Sequence, residues 1–265
     1  MGGRLNAETL TLGEQSGADW AAAAVAEIAA LPNVRLMART TVFGVFDHGV
    51  YGAVENAHGP AGEPDAGKPR QILWHIYTRQ TLLCAGATER PIVFDDNDRP
   101  GIMLAAAIRS YANRWAAVPD GKIAIFTNND DGYRTADDLI AKKVDVTGVV
   151  DVRADAPNRS EYEVFAGARV IGTSGRLGLK TVRLRLADGT ERSLECGALG
   201  VSGGWNPNVH LSCHRGSRPV WDEDITAFVA GGDLPAGMRV AGAAAGVFST
   251  SGALETGAGG ALRAL

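Results

Sequence analysis

Between residues 122 and 152 the chain passes through an order of elements that few folds can satisfy. Lys122 to Phe126 is a short apolar run suited to a strand covered on both faces, Tyr133 to Lys143 has helical spacing, and Val144 to Val152 is again β-prone, with Asp151 near its end. Strand, tight loop, helix and a second strand ending in an acid is the order of a mononucleotide-binding βαβ unit. This predicts an α/β protein with a parallel sheet.

The loop inside that unit carries the next constraint. A dinucleotide fingerprint needs small residues at three places: for the sharp turn, for close approach to the pyrophosphate, and for packing helix on strand. Those places hold Thr127, Asn129 and Gly132, so only the packing glycine is present. Asp130 and Asp131 would also repel a pyrophosphate. The structural reading is the stronger one, because a fold outlives its sites. The open alternative has Asn128 and Asn129 bonding a ligand through some other geometry.

Elsewhere, Asp19 to Ala30 reads as an Ala-rich helix capped by an Asp or its neighbour and stopped at Pro32. Val34 to Met37, Thr41 to Asp47, Val50 to Val54 and Ile72 to Tyr77 read as strands, with a Gly-, Pro- and charge-rich loop from Asn56 to Arg70. Gln80 to Ala85 is an apolar run, followed by a turn through Thr88, Glu89, Arg90 and Pro91, and Met103 to Trp115 is helical in spacing. Alternating segments follow at Tyr162 to Ile171 and Lys180 to Leu186, then an Asp188-Gly189 hairpin, a strand at Leu199 to Ser202 and a last one at Met238 to Ala241. Two strand exits resemble each other, Leu82 to Ala87 and Leu199 to Gly204. In an open α/β sheet the carboxyl edge lines the ligand crevice, so both are candidates for cofactor contact through main-chain groups. Ordinary glycine turns are the plainer reading.

Composition removes several classes of function. A length of 265 residues predicts one large or two closely packed domains. A formal charge of -4 with no basic stripe lacks the electrostatic footprint of nucleic-acid binding. Cys84, Cys196 and Cys213 form no CxxC pair and fit a reducing compartment; with no signal peptide and no apolar run of about 18 residues, a cytoplasmic location is expected. His210 and His214 have i, i+4 spacing, but no third ligand lies at a known offset and Trp205-Asn206-Pro207 just upstream implies a turn, so no metal is expected. There is no G-x-S-x-G elbow, and without a nucleophile or base constellation the chain is expected to bind and not to catalyse.

The run Gly86-Ala87-Thr88-Glu89-Arg90-Pro91-Ile92-Val93-Phe94, continued by Asp96-Asn97-Asp98-Arg99-Pro100-Gly101-Ile102-Met103-Leu104-Ala105, resembles the alpha subunit of heterotetrameric sarcosine oxidase. So do Phe126-Thr127-Asn128-Asn129-Asp130, Ser202-Gly203-Gly204-Trp205-Asn206-Pro207-Asn208-Val209-His210-Leu211 and Trp221-Asp222-Glu223, all in one register. The resemblance implies an internal piece of a longer subunit, which has a ferredoxin-like domain before it and a folate-binding, aminomethyltransferase-like domain after it. It implies the pyridine nucleotide-disulphide oxidoreductase fold of two nested Rossmann-like units. Residues 1–116 and 196–265 would be the remainder of the first, truncated upstream of Met1 and so lacking its glycine loop and ribose-binding acid; residues 117–195 would be the inserted second.

The same resemblance implies a noncovalent NAD in the first site, with FAD and FMN on the beta subunit or at its junction with alpha. Beta, gamma and delta subunits are the implied partners. The implied reaction is oxidative demethylation of sarcosine to glycine, with flavin taking the hydride and tetrahydrofolate the one-carbon unit. Relatives acting on another amine, proline or an opine are alternatives, as is a non-catalytic assembly module. In flavoproteins of the wider fold the late strand ends in Gly-Asp, whereas this chain reads Val240-Ala241-Gly242-Ala243, which favours NAD over flavin. By carry-over the cofactor neighbours are Arg4, Val42, Gly242, Ala243, Phe248 and Thr250, with Ala85, Gly86 and Ala87 added by fold analogy. Core packing is the competing reading of Val42 and Phe248.

Overall fold

The computed structural model describes residues 1–58, 67 and 69–262. They form two units: Met1–Val34 with Glu89–Gly204, and Arg35–Thr88 with Trp205–Leu265.

The first unit is built on five parallel strands in the spatial order Val164–Ala166, Val146–Asp151, Ile123–Thr127, Ala198–Ser202, Ile102–Leu104. Ile123–Thr127 is buried at every position, as its unbroken apolar run requires. Alternation sends Ile123 and Ile125 to one face and Ala124 and Phe126 to the other. The first face is covered by helices; Ile108 and Ala112, and Tyr133, Ala136 and Leu139, close that core. The second face is covered by an antiparallel meander of Arg169–Ser174, Thr181–Arg185 and Glu191–Glu195, which buries Val170, Val182, Leu184 and Leu194. Full burial of each such side chain is worth about 1.5–3 kcal/mol, so the parallel sheet is the stable centre of this unit.

Three helices belong to this unit. Helix α1 (Gly17–Ala29) starts at Ser16, whose hydroxyl accepts from the Asp19 amide, and stops short of Pro32. Helix α2 (Ala105–Trp115) ends where Ala116 turns left-handed, and α3 (Asp130–Ala141) is capped by Asn129. Met1–Val34 belongs here because Arg109 of α2 reaches Glu8 and Asp138, and Asn113 donates to the Ala7 carbonyl. The units divide at 34/35, 88/89 and 204/205.

In the second unit Thr40–Val45, Val50–Asn56 and Gln71–Tyr77 form an antiparallel sheet, and Thr81–Leu83 pairs in parallel with Met238–Val240. Val45, Tyr51, Leu83 and Met238 share its core. A second antiparallel pair joins Val220–Asp222 to Ala227–Val229. Helices α4 (His210–Cys213) and α5 (Thr250–Leu262) complete it.

Four expectations are corrected. Val34–Met37 is not a strand; it lies outside the sheet, beyond the turn at Pro32. Met103–Trp115 is not one helix: Ile102–Leu104 is the sheet's edge strand, and the helix begins at Ala105. Ala87–Glu89 is a short strand and not a turn. Trp205–Pro207 is likewise a strand. Most of the expected 56–70 loop lies outside the described residues. The Asp188-Gly189 hairpin is present, with Gly189 at φ 84° and Asp188 accepting from the Thr190 amide at 2.9 Å.

Candidate functional site

At the carboxyl edge of the first unit, Thr127 and Ser202 end neighbouring strands in register. Thr127 is fully buried; its hydroxyl accepts from the Asn129 amide at 3.1 Å and donates to the Asn129 carbonyl at 2.9 Å. Asn129 caps α3 by accepting from the Asp131 amide at 3.0 Å, and its Nδ2 donates to the Ser202 carbonyl at 3.1 Å. Gly132 lets helix and strand approach closely, because a Cβ there would lie 2.5 Å from the Thr127 Cβ. This is the packing role that the spacing predicted for it. Asp131 is held by Arg4, whose nitrogens donate at 3.1 and 2.6 Å, and Arg4 also pairs with Glu8.

The acid at the end of the second strand is engaged as well. Asp151 is fully buried and accepts from the Tyr133 hydroxyl at 2.8 Å, the Arg153 amide at 2.9 Å and the Arg153 guanidinium at 2.8 Å. Burial, then the bond to Asp151, pushes the Tyr133 hydroxyl pKa up. The groups that a dinucleotide would use at this edge are bonded within the protein. Such internal satisfaction supports the structural reading of the loop.

The Gly203-Gly204 exit has a similar explanation. The Gly203 amide donates to the Arg90 carbonyl and the Arg90 amide donates to the Gly204 carbonyl, and a Cβ on Gly203 would come within 2.9 Å of the Arg90 and Pro91 carbonyl oxygens. Close strand approach requires the glycine there.

Sequence reasoning missed Glu89. It is 6% exposed, and its Oε2 accepts from the Ala106 amide at 2.9 Å, in the first turn of α2. Its Oε1 has no hydrogen-bond partner. Burial pushes its pKa up to about 7, against the Ser202 hydroxyl and the Ala106 amide, which lower it; Asp131 raises it and Arg4 lowers it. The available signal was negative: α2 begins at Leu104-Ala105 with no Ser, Thr, Asp or Asn cap, so its free amides needed an acceptor from elsewhere.

At the carboxyl edge of the second unit, Leu83 and Val240 end adjacent parallel strands, and the Ala241 amide donates to the Leu83 carbonyl at 3.0 Å. Ala85, Gly86 and Ala87 continue from one strand, and Gly242 and Ala243 from the other, so these five candidates leave from one edge. Gly86 has φ 73° and open space where a side chain would project. Gly242 has φ 63°, and its amide donates to the Thr256 hydroxyl at 3.1 Å. Half-buried Phe248 and Thr250 lead into α5, with Thr250 its first residue. Val42 sits apart from this edge, paired with Ala53 in the antiparallel sheet. Arg4 belongs to the other unit.

Asn208, also unremarked from sequence as a contact, ties the Ala85–Thr88 segment down. Its Nδ2 donates to the Ala85 carbonyl at 2.9 Å, its amide donates to the Gly86 carbonyl at 3.0 Å, and its Oδ1 accepts from the Thr88 hydroxyl at 3.0 Å. His214 accepts from the Val45 amide at 3.2 Å, a packing role. Among the described residues no group of three His, Cys, Asp or Glu side chains could hold a metal, and no helix is long and apolar enough to cross a membrane.

A parallel sheet sandwiched between helices and a β-meander, together with a unit carrying its own parallel ladder, is the FAD/NAD pyridine nucleotide-disulphide oxidoreductase type of Rossmann fold. T. acidophilum thioredoxin reductase superposes with a TM-score of 0.66 at 13% identity, over 99% of this chain and 84% of that one. L-proline dehydrogenase from P. horikoshii gives 0.65 at 17% identity, over 91% and 43%. In sequence the chain is a relative of sarcosine oxidase alpha subunits: it is 40% identical to that of Rhizobium meliloti (strain 1021) over 259 residues, 97% of this chain and 26% of that one. The Corynebacterium sp. (strain P-1) alpha subunit is 40% identical over 261 residues, 92% and 26% respectively. An opine oxidase subunit from Agrobacterium tumefaciens (strain Ach5) is 26% identical over 278 residues, 93% of this chain and 54% of that one. The chain thus spans about a quarter of the length of the sarcosine oxidase subunits it matches. No protein-family model matches the sequence.

Proposed function

We propose that this chain is the nucleotide-binding region of the alpha subunit of a sarcosine oxidase complex, which demethylates sarcosine to glycine in the cytoplasm with beta, gamma and delta partners. The observation that carries this reading is 40% identity to a sarcosine oxidase alpha subunit over 97% of the chain.

The second unit is the better candidate for NAD. Gly86 leaves its backbone open to close approach, and Ala85, Ala87, Gly242, Ala243, Phe248 and Thr250 would surround the dinucleotide at that edge. Ala243 has no carboxylate to meet a ribityl chain, which is why NAD is preferred to flavin there. The bound flavins, FAD and FMN at the beta subunit or its junction, supply the hydride acceptor, and tetrahydrofolate takes the one-carbon unit. The role of this chain is to bind and orient, with no catalytic side chain of its own. The first unit is a structural partner, since its loop amides and acids are already bonded.

A second reading, oxidation of a different amine such as proline or an opine, draws support from the similarity to the opine oxidase subunit. Purification of the chain in its native assembly, release of cofactors and an amine-dependent peroxide assay test both. Peroxide with sarcosine supports the first reading, and peroxide with proline or an opine alone supports the second. An assembly holding neither flavin nor NAD sinks both.

A further inference from the structure

The geometry points to a binding site for a small carboxylate with an apolar body, in a cleft of the second unit at the opposite edge from the proposed nucleotide site. The cleft has a volume of about 580 Å³, the size that takes a small molecule. Thr78, Arg79 and Gln80 line it and lead directly into the Thr81–Leu83 strand; Leu234 to Gly237 line it and lead into Met238–Val240. These strands are parallel, so the cleft lies at their amino ends, whereas Ala85, Gly86, Ala87 and Gly242 lie beyond their carboxyl ends.

Three features define the ligand. Arg79 is a wall residue whose guanidinium has no hydrogen-bond or ion-pair partner among the described residues. The other arginine of the wall, Arg215, is paired with Asp47, so that pair is neutral and Arg79 supplies the excess charge. Tyr51 is only 6% exposed, yet its hydroxyl has no hydrogen-bond partner among the described residues, although a tyrosine this buried ordinarily finds one. A guanidinium and a phenol hydroxyl are both donors, and a carboxylate accepts from both. Val45, Phe46, Leu234, Pro235 and Ala236 make part of the lining apolar, which gives a hydrocarbon body a surface to rest on beside the anion.

The walls are held in place by backbone contact. A Cβ on Gly49 would lie 2.3 Å from the Thr78 carbonyl oxygen, and one on Gly237 would lie 2.4 Å from that of Arg79. The Thr78 amide donates to the Gly49 carbonyl and the Thr81 amide to the Gly237 carbonyl, each at 2.9 Å. His48 holds φ 59°, a strained conformation of the kind that collects at ligand clamps. The cleft is therefore preformed.

Benzoate is a suitable probe, titrated into the full chain by calorimetry and by amide chemical-shift mapping, with benzyl alcohol and inorganic phosphate as comparison solutes. The expected result is saturable one-to-one binding of benzoate, with shifts confined to the cleft and both comparison solutes weaker by about tenfold or more. Arg79→Gln should weaken benzoate by about tenfold or more and Tyr51→Phe by about fivefold, while Lys142→Gln in the other unit leaves it unchanged. Benzyl alcohol binding as tightly as benzoate removes the anion from the proposal, and phosphate binding as tightly removes the apolar body. Absence of saturation, or undiminished affinity in a folded Arg79→Gln variant, overturns the site. Should Arg79→Gln fail to fold, Tyr51→Phe and the solute comparison on the unaltered chain still decide the question.

Discussion

Arg4 donates to both carboxylate oxygens of Asp131, at 3.1 and 2.6 Å, and thereby ties the amino-terminal segment to the first turn of α3. Asp131 also receives Arg134, and Arg4 also holds Glu8, so the guanidinium links two carboxylates. Removing it leaves both under-compensated, with side chains only 13% and 7% exposed. Arg4→Gln is expected to cost about 1–3 kcal/mol in urea denaturation. NAD affinity of the native assembly should hardly change, because the guanidinium is already engaged. A fall in affinity at unchanged stability would show that Arg4 touches the cofactor.

Glu89 sets a pH dependence whose sign follows from its burial. Its folded pKa, about 7, lies above the ordinary 4.5, so the folded state holds the proton more tightly than the unfolded one. Its contribution to stability is complete below about pH 4.5 and is lost as pH rises toward 7. The groups facing it are the α2 amide of Ala106, the Ser202 hydroxyl, Asp131 and Arg4. Glu89→Gln can still accept from Ala106 and carries no charge. The variant should gain on the unaltered chain between pH 5 and pH 8, by up to roughly 3 kcal/mol. Parallel denaturation series at the two pH values measure the difference, and a pH-independent gap refutes the assignment.

Gly132 gives a cleaner mechanical test. In a helix, Gly→Ala normally stabilises by about 1 kcal/mol, but here the new Cβ would lie 2.5 Å from the Thr127 Cβ, on a strand buried on both faces. Neither backbone can yield cheaply, so the clash outweighs propensity. Gly132→Ala should lower stability by about 1–3 kcal/mol. A variant as stable as the parent would mean that helix and strand are less tightly apposed.

The elements legible in the sequence were those whose pattern is local. Ile123–Thr127 reads as a doubly covered strand because every residue is apolar or small, and Gly132 as a packing glycine because strand and helix fix its place. Gln71–Tyr77 shows its alternation directly in its burial. What sequence could not give was pairing across distance. Met103 and Leu104 look helical by spacing, and belong to a strand because the Leu199–Val201 backbone lies beside them. Glu89 and Asn208 act on segments 17 and 123 residues away, through single side-chain bonds that leave no periodic trace. The pairing of Arg109 with Glu8 is of the same kind, a single ion pair between distant segments that composition cannot connect.

Asn208 offers the most direct test of the nucleotide edge. It fixes the carbonyls of Ala85 and Gly86 and the hydroxyl of Thr88, and so helps to hold the segment after the Thr81–Leu83 strand, beside the pairing of Ala87–Glu89 with Trp205–Pro207. Asn208→Asp keeps size and the acceptor for Thr88, but it sets a carboxylate against the Ala85 carbonyl and adds negative charge where a pyrophosphate would lie. Both effects oppose binding. NAD affinity of the native assembly should fall about tenfold, with a change in melting temperature no larger than a few degrees. Asn208→Ala, which removes the side-chain bonds without adding charge, should fall between the parent and the aspartate variant. Equal affinity in all three proteins would mean that the dinucleotide does not rest on this edge.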